Sequence, residues 1–250
     1  MGKLSKAEVF NKFKELENVS LKSKDGKRGI KSFVLRTNPL SKRLTKGILD
    51  YYNDYAFPYN SDDYNKINLS NLFVNPEKCL VVEIGFGNGE SFVKMAENDN
   101  EANYFGLDVY FEGFAECLTS IGEKKLKNAK VMRADAKEVL TYKVIDESVD
   151  CFNIFFPDPW PKKKHHKRRL INTEFTGLLI KKLKHNGIIH FATDIEDYAD
   201  EVLTIFSSYE NLRNLFEKYS PTSYGREHTN FEQKGIDAGR TIRDIVFIKT

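Results

Sequence analysis

Short apolar runs alternate with amphipathic stretches along most of the chain, from about residue 78 to residue 249. Apolar runs of strand length are typical of buried strands in a parallel sheet, and apolar residues spaced three or four apart indicate helices. Strands are predicted at 80–84, 104–109, 129–135, 149–156, 188–194, 212–219 and 242–249. Helices are predicted at 91–97, 113–121, from 136 onward, 173–184 and 196–207. This alternation predicts a doubly wound α/β fold with a mostly parallel, seven-stranded sheet.

The first 65 residues lack this alternation and are predicted to form a basic N-terminal arm before an α/β domain of residues 66–250. Residues 5–18 predict a weak amphipathic helix, and residues 19–47, rich in lysine, serine and glycine, are expected to be extended. Five tyrosines follow within residues 50–64, namely Tyr51, Tyr52, Tyr55, Tyr59 and Tyr64. Tyrosine suits half-buried contacts, so we expect this stretch to dock the arm on the domain, with stacking on bases as the alternative.

Charge adds a second difference between the arm and the domain. The net charge of the chain is +3, yet residues 1–46 hold thirteen lysines and arginines against four acidic residues. A basic arm on an acidic body favours a polyanionic partner, and the alternative is a solvated tail.

No apolar run reaches the ~20 residues of a membrane span, and the N-terminus has no signal-peptide core, so we expect no membrane association.

The cysteines bear on the compartment and on metal binding. Cys79, Cys117 and Cys151 lie far apart, with no paired spacing of the kind that binds zinc. Three is also an odd number for a disulfide framework, which favours a reducing cytoplasm. We therefore expect a cytoplasmic protein without a metal site.

Acidic residues lie at or just beyond the carboxyl ends of the predicted strands, where open α/β sheets bind their ligands. They are Glu83, Asp108, Asp135, Asp158 and Asp194. Aspartates after strands often cap the next helix, and this alternative accounts for one or two of the set, for instance Asp194. It does not account for Glu83, which lies inside an apolar run where an unpaired charge is costly.

A glycine loop follows the first strand, with Gly85, Gly87 and Gly89 in a G-x-G-x-G spacing. Dinucleotide sites use G-x-G-x-x-G, and here Glu90 would oppose a pyrophosphate at the helix N-terminus. The loop therefore suits a ligand that is poor in phosphate. With Asp108 placed for ribose hydroxyls, the predicted ligand is a nucleoside with a cationic amino-acid tail, which describes S-adenosylmethionine.

The stretch 149–169 joins an apolar strand, a proline-rich turn and a basic run. The turn at 157–161 places Asp158 and Trp160 at the strand's end, and residues 162–169 hold six basic residues and two histidines. An acid and an indole beside a positive patch predict an anionic, planar substrate, with nucleic acid as the first candidate. The alternatives are a solvated charged face for the basic run and simple packing of the turn for Trp160.

These motifs together carry a family resemblance that spans residues 78–248. Residues 83–90 (EIGFGNGE), 156–169 (FPDPWPKKKHHKRR), 192–194 (ATD) and 229–235 (TNFEQKG) resemble the bacterial tRNA (guanine-N7-)-methyltransferase family. The resemblance implies a class I, Rossmann-like methyltransferase fold and S-adenosylmethionine as the methyl donor. It also implies tRNA as partner, with N7 of a guanine at position 46 of the variable loop as acceptor.

The resemblance also implies roles for individual residues. Donor-binding positions match Glu83, Gly85, Gly87, Gly89, Asp108, Asp135 and Asp158. Substrate-binding positions match Lys162, Lys164, His165, His166, Lys167, Arg168, Arg169, Asp194, Thr229, Asn230, Phe231 and Glu232. Asp158 is predicted to link the donor and the base and to be the catalytic residue.

The chain departs from the family pattern at two positions, and three rival functions stay open. The family usually has glutamate where Asp108 stands, and lysine where Asn230 stands. The rivals are a nucleic-acid methyltransferase that acts on an exocyclic amine, a nicotinamide-dependent oxidoreductase and a non-catalytic RNA-binding protein. The missing G-x-G-x-x-G argues against the second, and the strand-end acids argue against the third. Monomer and homodimer both stay open.

Overall fold

A computed structural model describes residues 32, 40–58 and 65–250 of the chain, and the helix predicted at 5–18 lies outside these residues. Seven strands form one sheet in the order β3-β2-β1-β4-β5-β7-β6. The strands are β1 Cys79–Ile84, β2 Ala102–Asp108, β3 Ala129–Arg133, β4 Val149–Phe155, β5 Leu183–Thr193, β6 Leu212–Asn214 and β7 Arg243–Lys249. The first five strands run parallel, and β7 runs antiparallel to both β5 and β6. The predicted doubly wound, mostly parallel sheet of class I methyltransferase type is confirmed.

Helices cover both faces of this sheet. They are α1 Lys42–Tyr55, α2 Glu90–Asn98, α3 Phe111–Lys124, α4 Ala136–Tyr142, α5 Thr173–Lys182, α6 Glu196–Ser207 and α7 Asn230–Asp237. Apolar side chains of α1, α2 and α3 form one buried cluster, and those of α4, α5 and α6 form another. Two separate cores on one sheet explain why the central strands read as continuous apolar runs rather than as alternating ones.

Helix α1 is the part of the predicted arm that the structure describes most fully. It packs on α3, where Cβ atoms built on Gly47 and Gly122 would fall 2.0 Å from Thr119 and 2.1 Å from the Tyr51 ring. Tyr52 is buried in the same cluster. Tyr55 contacts Tyr51 edge-on, with 6.3 Å between ring centroids, and Tyr59 and Tyr64 lie outside the described residues. The boundary between arm and domain at residue 65 stays a prediction.

Several element boundaries differ from the sequence prediction, and residues 42–47, expected to be extended, begin helix α1. Helix α5 ends at Lys182 instead of continuing to 184, and β5 begins at once, with Asn186 in a left-handed conformation (φ 62°) where the pairing with β4 shifts register. The strand predicted at 212–219 ends at Asn214. Helix α7 was not predicted, because its sequence is mostly polar and only two of its residues are buried.

The described residues also bear on membranes, disulfides and metals. Across 40–58 and 65–250, no helix is long and apolar enough to cross a bilayer. All three cysteines are free thiols. Within the same part of the chain, no three histidine, cysteine or acidic side chains are grouped as metal ligands.

Candidate active site

A cavity of about 740 Å³ opens at the carboxyl edge of the sheet, where β1, β2 and β4 end. Parallel strands bring their carboxyl ends to one edge, so side chains that are distant in sequence meet there. The cavity is bounded by the glycine loop, by the turn at 157–161 and by the start of α7. The predicted donor residues that line it are Glu83, Gly85, Gly87, Gly89, Asp108, Asp135 and Asp158.

Asp108 holds the glycine loop in place at the floor of this cavity. One carboxylate oxygen accepts a hydrogen bond from the Gly87 backbone N–H at 2.7 Å, and the other accepts from Tyr110 N–H at 2.8 Å. All three glycines of the loop have positive φ, between 58° and 82°. Such a backbone favours glycine, which explains the spacing of the motif. The shorter side chain at position 108 thus still reaches the loop.

The glycine loop also lies very close to α3. A Cβ atom on Gly89 would lie 2.4 Å from Cys117 Sγ, and one on Gly113 would lie 2.2 Å from the Gly87 carbonyl oxygen. Sequence analysis did not single out Gly113. Its signal is a glycine in the interior of a helix, which is unfavourable unless a close approach requires it.

Glu83 and Asp108 are both buried below the loop. Burial, with a smaller contribution from the nearby Asp108 and against the opposing effect of Arg226, raises the pKa of Glu83 to about 8. Burial also raises the pKa of Asp108 to about 6, against the opposing effects of its backbone hydrogen bonds and of Arg133. Glu83 Oε2 has no hydrogen-bond partner among the described residues. A buried, unsatisfied carboxyl oxygen beside a cavity suits a cationic ligand.

Two other strand-end acids have partners of their own. Asp135 caps α4, accepting a hydrogen bond from Lys137 N–H at 2.9 Å. Asp194, expected to be the capping residue of the set, instead accepts from Arg240 Nε at 2.6 Å, and α6 begins after Ile195. The capping explanation therefore applies to Asp135 and not to Asp194.

Asp158 lies on the turn at 157–161, exposed at the mouth of the cavity. Phe156, just before this turn, and Trp160, within it, have positive φ values of 49° and 44°. Non-glycine residues in this region cost about 1–3 kcal/mol each and persist only where the surroundings hold them. The backbone at Asp158 is therefore fixed by the fold.

Trp160 packs within the turn region. Its ring stacks with the Arg168 guanidinium at 3.8 Å, and its indole N–H donates to the Ser32 carbonyl oxygen at 2.9 Å. The edge of His165 contacts it at 5.9 Å between ring centroids. These contacts fit packing of the turn, and since the ring also lines the cavity, stacking on a base stays a prediction.

The basic run forms a short 3-10 helix, Lys163–Arg168, beside the cavity. Lys162, Lys163, Lys164 and Lys167 are exposed, whereas His165, His166 and Arg168 are half-buried. His166 lies 3.8 Å from Asp197. The run thus presents a row of lysines on one side of the site.

Arg169 is the exception within the basic run, and the expectation that it contacts RNA is corrected. Its side chain is only 1% exposed and forms ion pairs with Asp197, at 2.7 Å, and with Glu201. A guanidinium that is buried and paired with two carboxylates has no exposed donors for a phosphate. The sequence could not separate it from its exposed neighbours, because burial is not visible in a run of charged residues.

The segment before and within the first turn of α7 closes the other side of the cavity. Thr229 and Glu232 form a capping box, and Asn230 donates to Glu90 Oε2 at 2.7 Å. The Ser91 hydroxyl donates to the Glu227 carbonyl oxygen at 3.2 Å. Phe231 is 59% exposed, and its ring lies 3.9 Å from a Cβ built on Gly87. An apolar ring is thereby held at the mouth of the site.

A buried arginine that the sequence analysis missed holds this segment. The guanidinium of Arg226 donates to both carboxylate oxygens of Glu232, at 2.5 and 3.1 Å, and to Asp244, at 3.0 and 3.1 Å. His190 contacts Asp244 at 2.7 Å. Glu232 is therefore turned into the protein, which corrects the expectation that its side chain contacts substrate. No local pattern in the sequence marks Arg226.

Comparison with known proteins gives consistent results. The family model described as "Putative methyltransferase" matches residues 77–245. A tRNA (guanine-N(7)-)-methyltransferase of Legionella pneumophila (strain Paris) is 41% identical over 224 residues, covering 89% of this chain and 94% of that protein. Another of the same name, from Actinobacillus succinogenes, is 37% identical over 256 residues and covers 100% of both chains. A third, from Methylobacillus flagellatus, is 38% identical over 231 residues, covering 92% of this chain and 95% of that protein.

Proposed function

The chain belongs to the tRNA (guanine-N(7)-)-methyltransferase family, and we infer that it transfers a methyl group from S-adenosylmethionine to N7 of a guanine in tRNA. The observation that carries the proposal is the convergence of the glycine loop, Asp108 and Asp158 on one cavity beside a row of exposed lysines. We further propose that the methylated guanine lies in the variable loop of the tRNA, because the family pattern implies this region. We also propose that the protein acts in the cytoplasm, where it would encounter tRNA.

The donor would lie over the glycine loop. Asp108 is placed to accept from ribose hydroxyls, and the buried Glu83 would supply negative charge below a cationic ligand once it loses its proton. Asp135 lines the same cavity and caps α4. The bound donor would supply a sulfonium methyl group, and the turn that carries Asp158 borders the cavity that would hold the donor.

The acceptor requires little acid–base chemistry. Guanine N7 has a lone pair in the base plane and no proton, so it attacks the methyl group directly. Catalysis is then chiefly alignment of the two reactants, which can contribute ~7–11 kcal/mol. The methylated base is cationic, so the Asp158 carboxylate would stabilise the developing charge and accept from guanine N–H groups. We assign the side of the cavity formed by Thr229, Asn230 and Phe231 to the base. Asp194, which pairs with Arg240 and lies against Gly235 of α7, would support this side from outside the cavity lining.

The function is tested by identifying the methylated atom. The protein is incubated with unmodified tRNA and labelled S-adenosylmethionine, and the modified nucleotide is mapped and analysed. We expect one 7-methylguanosine in the variable loop. Methyl groups on an exocyclic amine would support the amino-directed rival, and binding of a nicotinamide cofactor without methyl transfer would support the oxidoreductase.

Donor affinity is expected to rise with pH. Because the pKa of Glu83 lies near 8, its carboxyl group is protonated at neutral pH in the donor-free protein. A cationic donor stabilises the ionised carboxylate, so donor binding releases a proton from Glu83. The dissociation constant should fall by up to about tenfold per pH unit as pH rises toward 8 and then level off. Calorimetric titration of S-adenosylmethionine at several pH values measures this. Glu83→Gln keeps the shape without the ionisation, and a curve as steep as that of the wild type would contradict the assignment.

The same raised pKa affects the stability of the donor-free protein in the opposite direction. The unfolded chain loses the Glu83 proton above the ordinary pKa of 4.5, whereas burial raises the pKa in the folded protein to about 8. This group's contribution to the free energy of unfolding is therefore full below pH 4.5 and is lost as pH rises through 8.

Binding of tRNA should depend steeply on salt if the exposed lysines contact phosphates. Each contact with a phosphate contributes about −0.7 to −0.9 to the slope of log affinity against log salt. Replacing Lys163 and Lys164 by methionine should therefore make the slope shallower by about 1–2 in a filter-binding assay. Lys218→Met serves as control, because Lys218 is paired with Asp200 on α6. An unchanged slope in the double variant would support a merely solvated face.

A further inference from the structure

We propose that Arg169 is a positioning residue that clamps the turn carrying Asp158 to helix α6; this rests on the proposed function of Asp158. Arg169 Nε donates to the Pro159 carbonyl oxygen at 2.9 Å, one residue beyond Asp158. Its terminal nitrogens donate to Asp197 at 2.7 Å and to Glu201, both on α6. One guanidinium thus connects the turn to a helix of the core.

The turn needs such an anchor. Three of its five residues, Pro157, Pro159 and Pro161, have no backbone N–H, so they cannot stabilise it as donors. Phe156 and Trp160 hold positive φ values of 49° and 44°, which an unconstrained chain would relax. An external donor to the Pro159 carbonyl opposes that relaxation at the centre of the turn.

The anchor itself is rigid. The Arg169 guanidinium lies 4.7 Å from the ring centroid of Tyr198, which is fully buried. The Tyr198 hydroxyl accepts from Ile171 N–H at 3.2 Å, which fixes the chain just after Arg169. The planar fork of arginine reaches a carbonyl and two carboxylates at once, and lysine lacks this geometry.

The adjacent arginine has a different environment, which gives a matched comparison. Arg168 is half-buried on the surface of the 3-10 helix and stacks on Trp160. If Arg168 serves RNA binding and Arg169 serves the turn, the two substitutions should affect different kinetic constants. A displacement of about 1 Å in the reacting groups can lower the rate by about 100-fold.

The experiment compares Arg169→Met, Arg169→Lys, Arg168→Met and Lys182→Met. Lys182 is equally buried and paired with Asp146 at 2.5 Å, at the opposite edge of the sheet, so its loss reports on stability alone. We expect Arg169→Met to lower kcat by about 10- to 100-fold. KM for tRNA and the salt slope should stay near wild type, with partial recovery in Arg169→Lys. Arg168→Met should raise KM, and Lys182→Met should lower only the melting temperature.

Trp160 is the sole tryptophan of the chain, so its fluorescence reports on the turn without any substrate. Arg169→Met should shift its emission and increase quenching by acrylamide, and Lys182→Met should not. Unchanged kcat and fluorescence in Arg169→Met would overturn the proposal, as would a raised KM with a shallower salt slope. A wild-type protein that methylates no tRNA would instead overturn the proposed function, and the fluorescence comparison would still decide the clamp.

Discussion

Replacing Asp158 with alanine is expected to lower kcat by about 100- to 1,000-fold, because the alignment and charge stabilisation at the reacting methyl group depend on this carboxylate. Asp158 is exposed at the cavity mouth on a turn fixed from outside, so removal of its side chain leaves the core intact. The melting temperature should therefore stay near that of the wild type. Single-turnover methylation with labelled donor measures the chemical step directly.

Two further variants sharpen this test. Asp158→Asn keeps the size of the side chain and can still accept a hydrogen bond, so a large loss there would assign the effect to negative charge. Asp200→Ala removes an exposed aspartate of α6 that is paired with Lys218 and Tyr219 and should leave kcat unchanged. An Asp158→Ala protein with near wild-type turnover would contradict the catalytic assignment.

Gly89→Ala should disrupt donor binding and the fold together. The new Cβ would lie 2.4 Å from Cys117 Sγ and 3.0 Å from the Cys117 Cα, so the backbone of α3 would have to move. Overpacking of this kind costs about 1–3 kcal/mol, and the positive φ of 78° adds strain. The loop would move away from the donor as α3 shifts. We expect a lower melting temperature and weak or absent binding of S-adenosylmethionine by calorimetry.

Gly239→Ala separates the two causes. Gly239 has a similar φ of 71°, but no atom lies within 4 Å of the built Cβ, so the substitution adds backbone strain without a clash. This variant should lose about 1 kcal/mol of stability and bind the donor normally. If Gly89→Ala and Gly239→Ala bound the donor equally well, the prediction would be wrong. The new methyl group at position 89 would then be accommodated beside Cys117 without displacing the glycine loop.

The central strands of the sheet could be predicted from the sequence because each is marked by a local run of apolar residues. Each central strand is a short apolar run, and each begins or ends near the predicted residue. Helix α7 was missed because it is polar and short, and its stability comes from Arg226 and Glu232 rather than from an apolar face. Its capping box, Thr229 with Glu232, was a usable sign that a helix begins there.

The candidate site was predictable in composition but not in the roles of its residues. Strand-end acids and the glycine loop could be placed at one edge, because parallel strands require it. The roles of charged residues depend on burial, which the sequence does not carry. Arg168 and Arg169 are identical neighbours, yet one is half-buried against Trp160 and the other is enclosed with Asp197 and Glu201.

The position of β7 has a consequence for the order in which the enzyme is made. This strand follows every other strand in the chain, yet it lies between β5 and β6 and carries Asp244, the partner of Arg226. A nascent chain that has not reached residue 243 already contains the donor loop and the Asp158 turn. It lacks the strand that, through Asp244 and Arg226, holds the α7 segment at the mouth of the cavity. The residues that line the donor side are therefore all synthesised before the contact that fixes the opposite side can form.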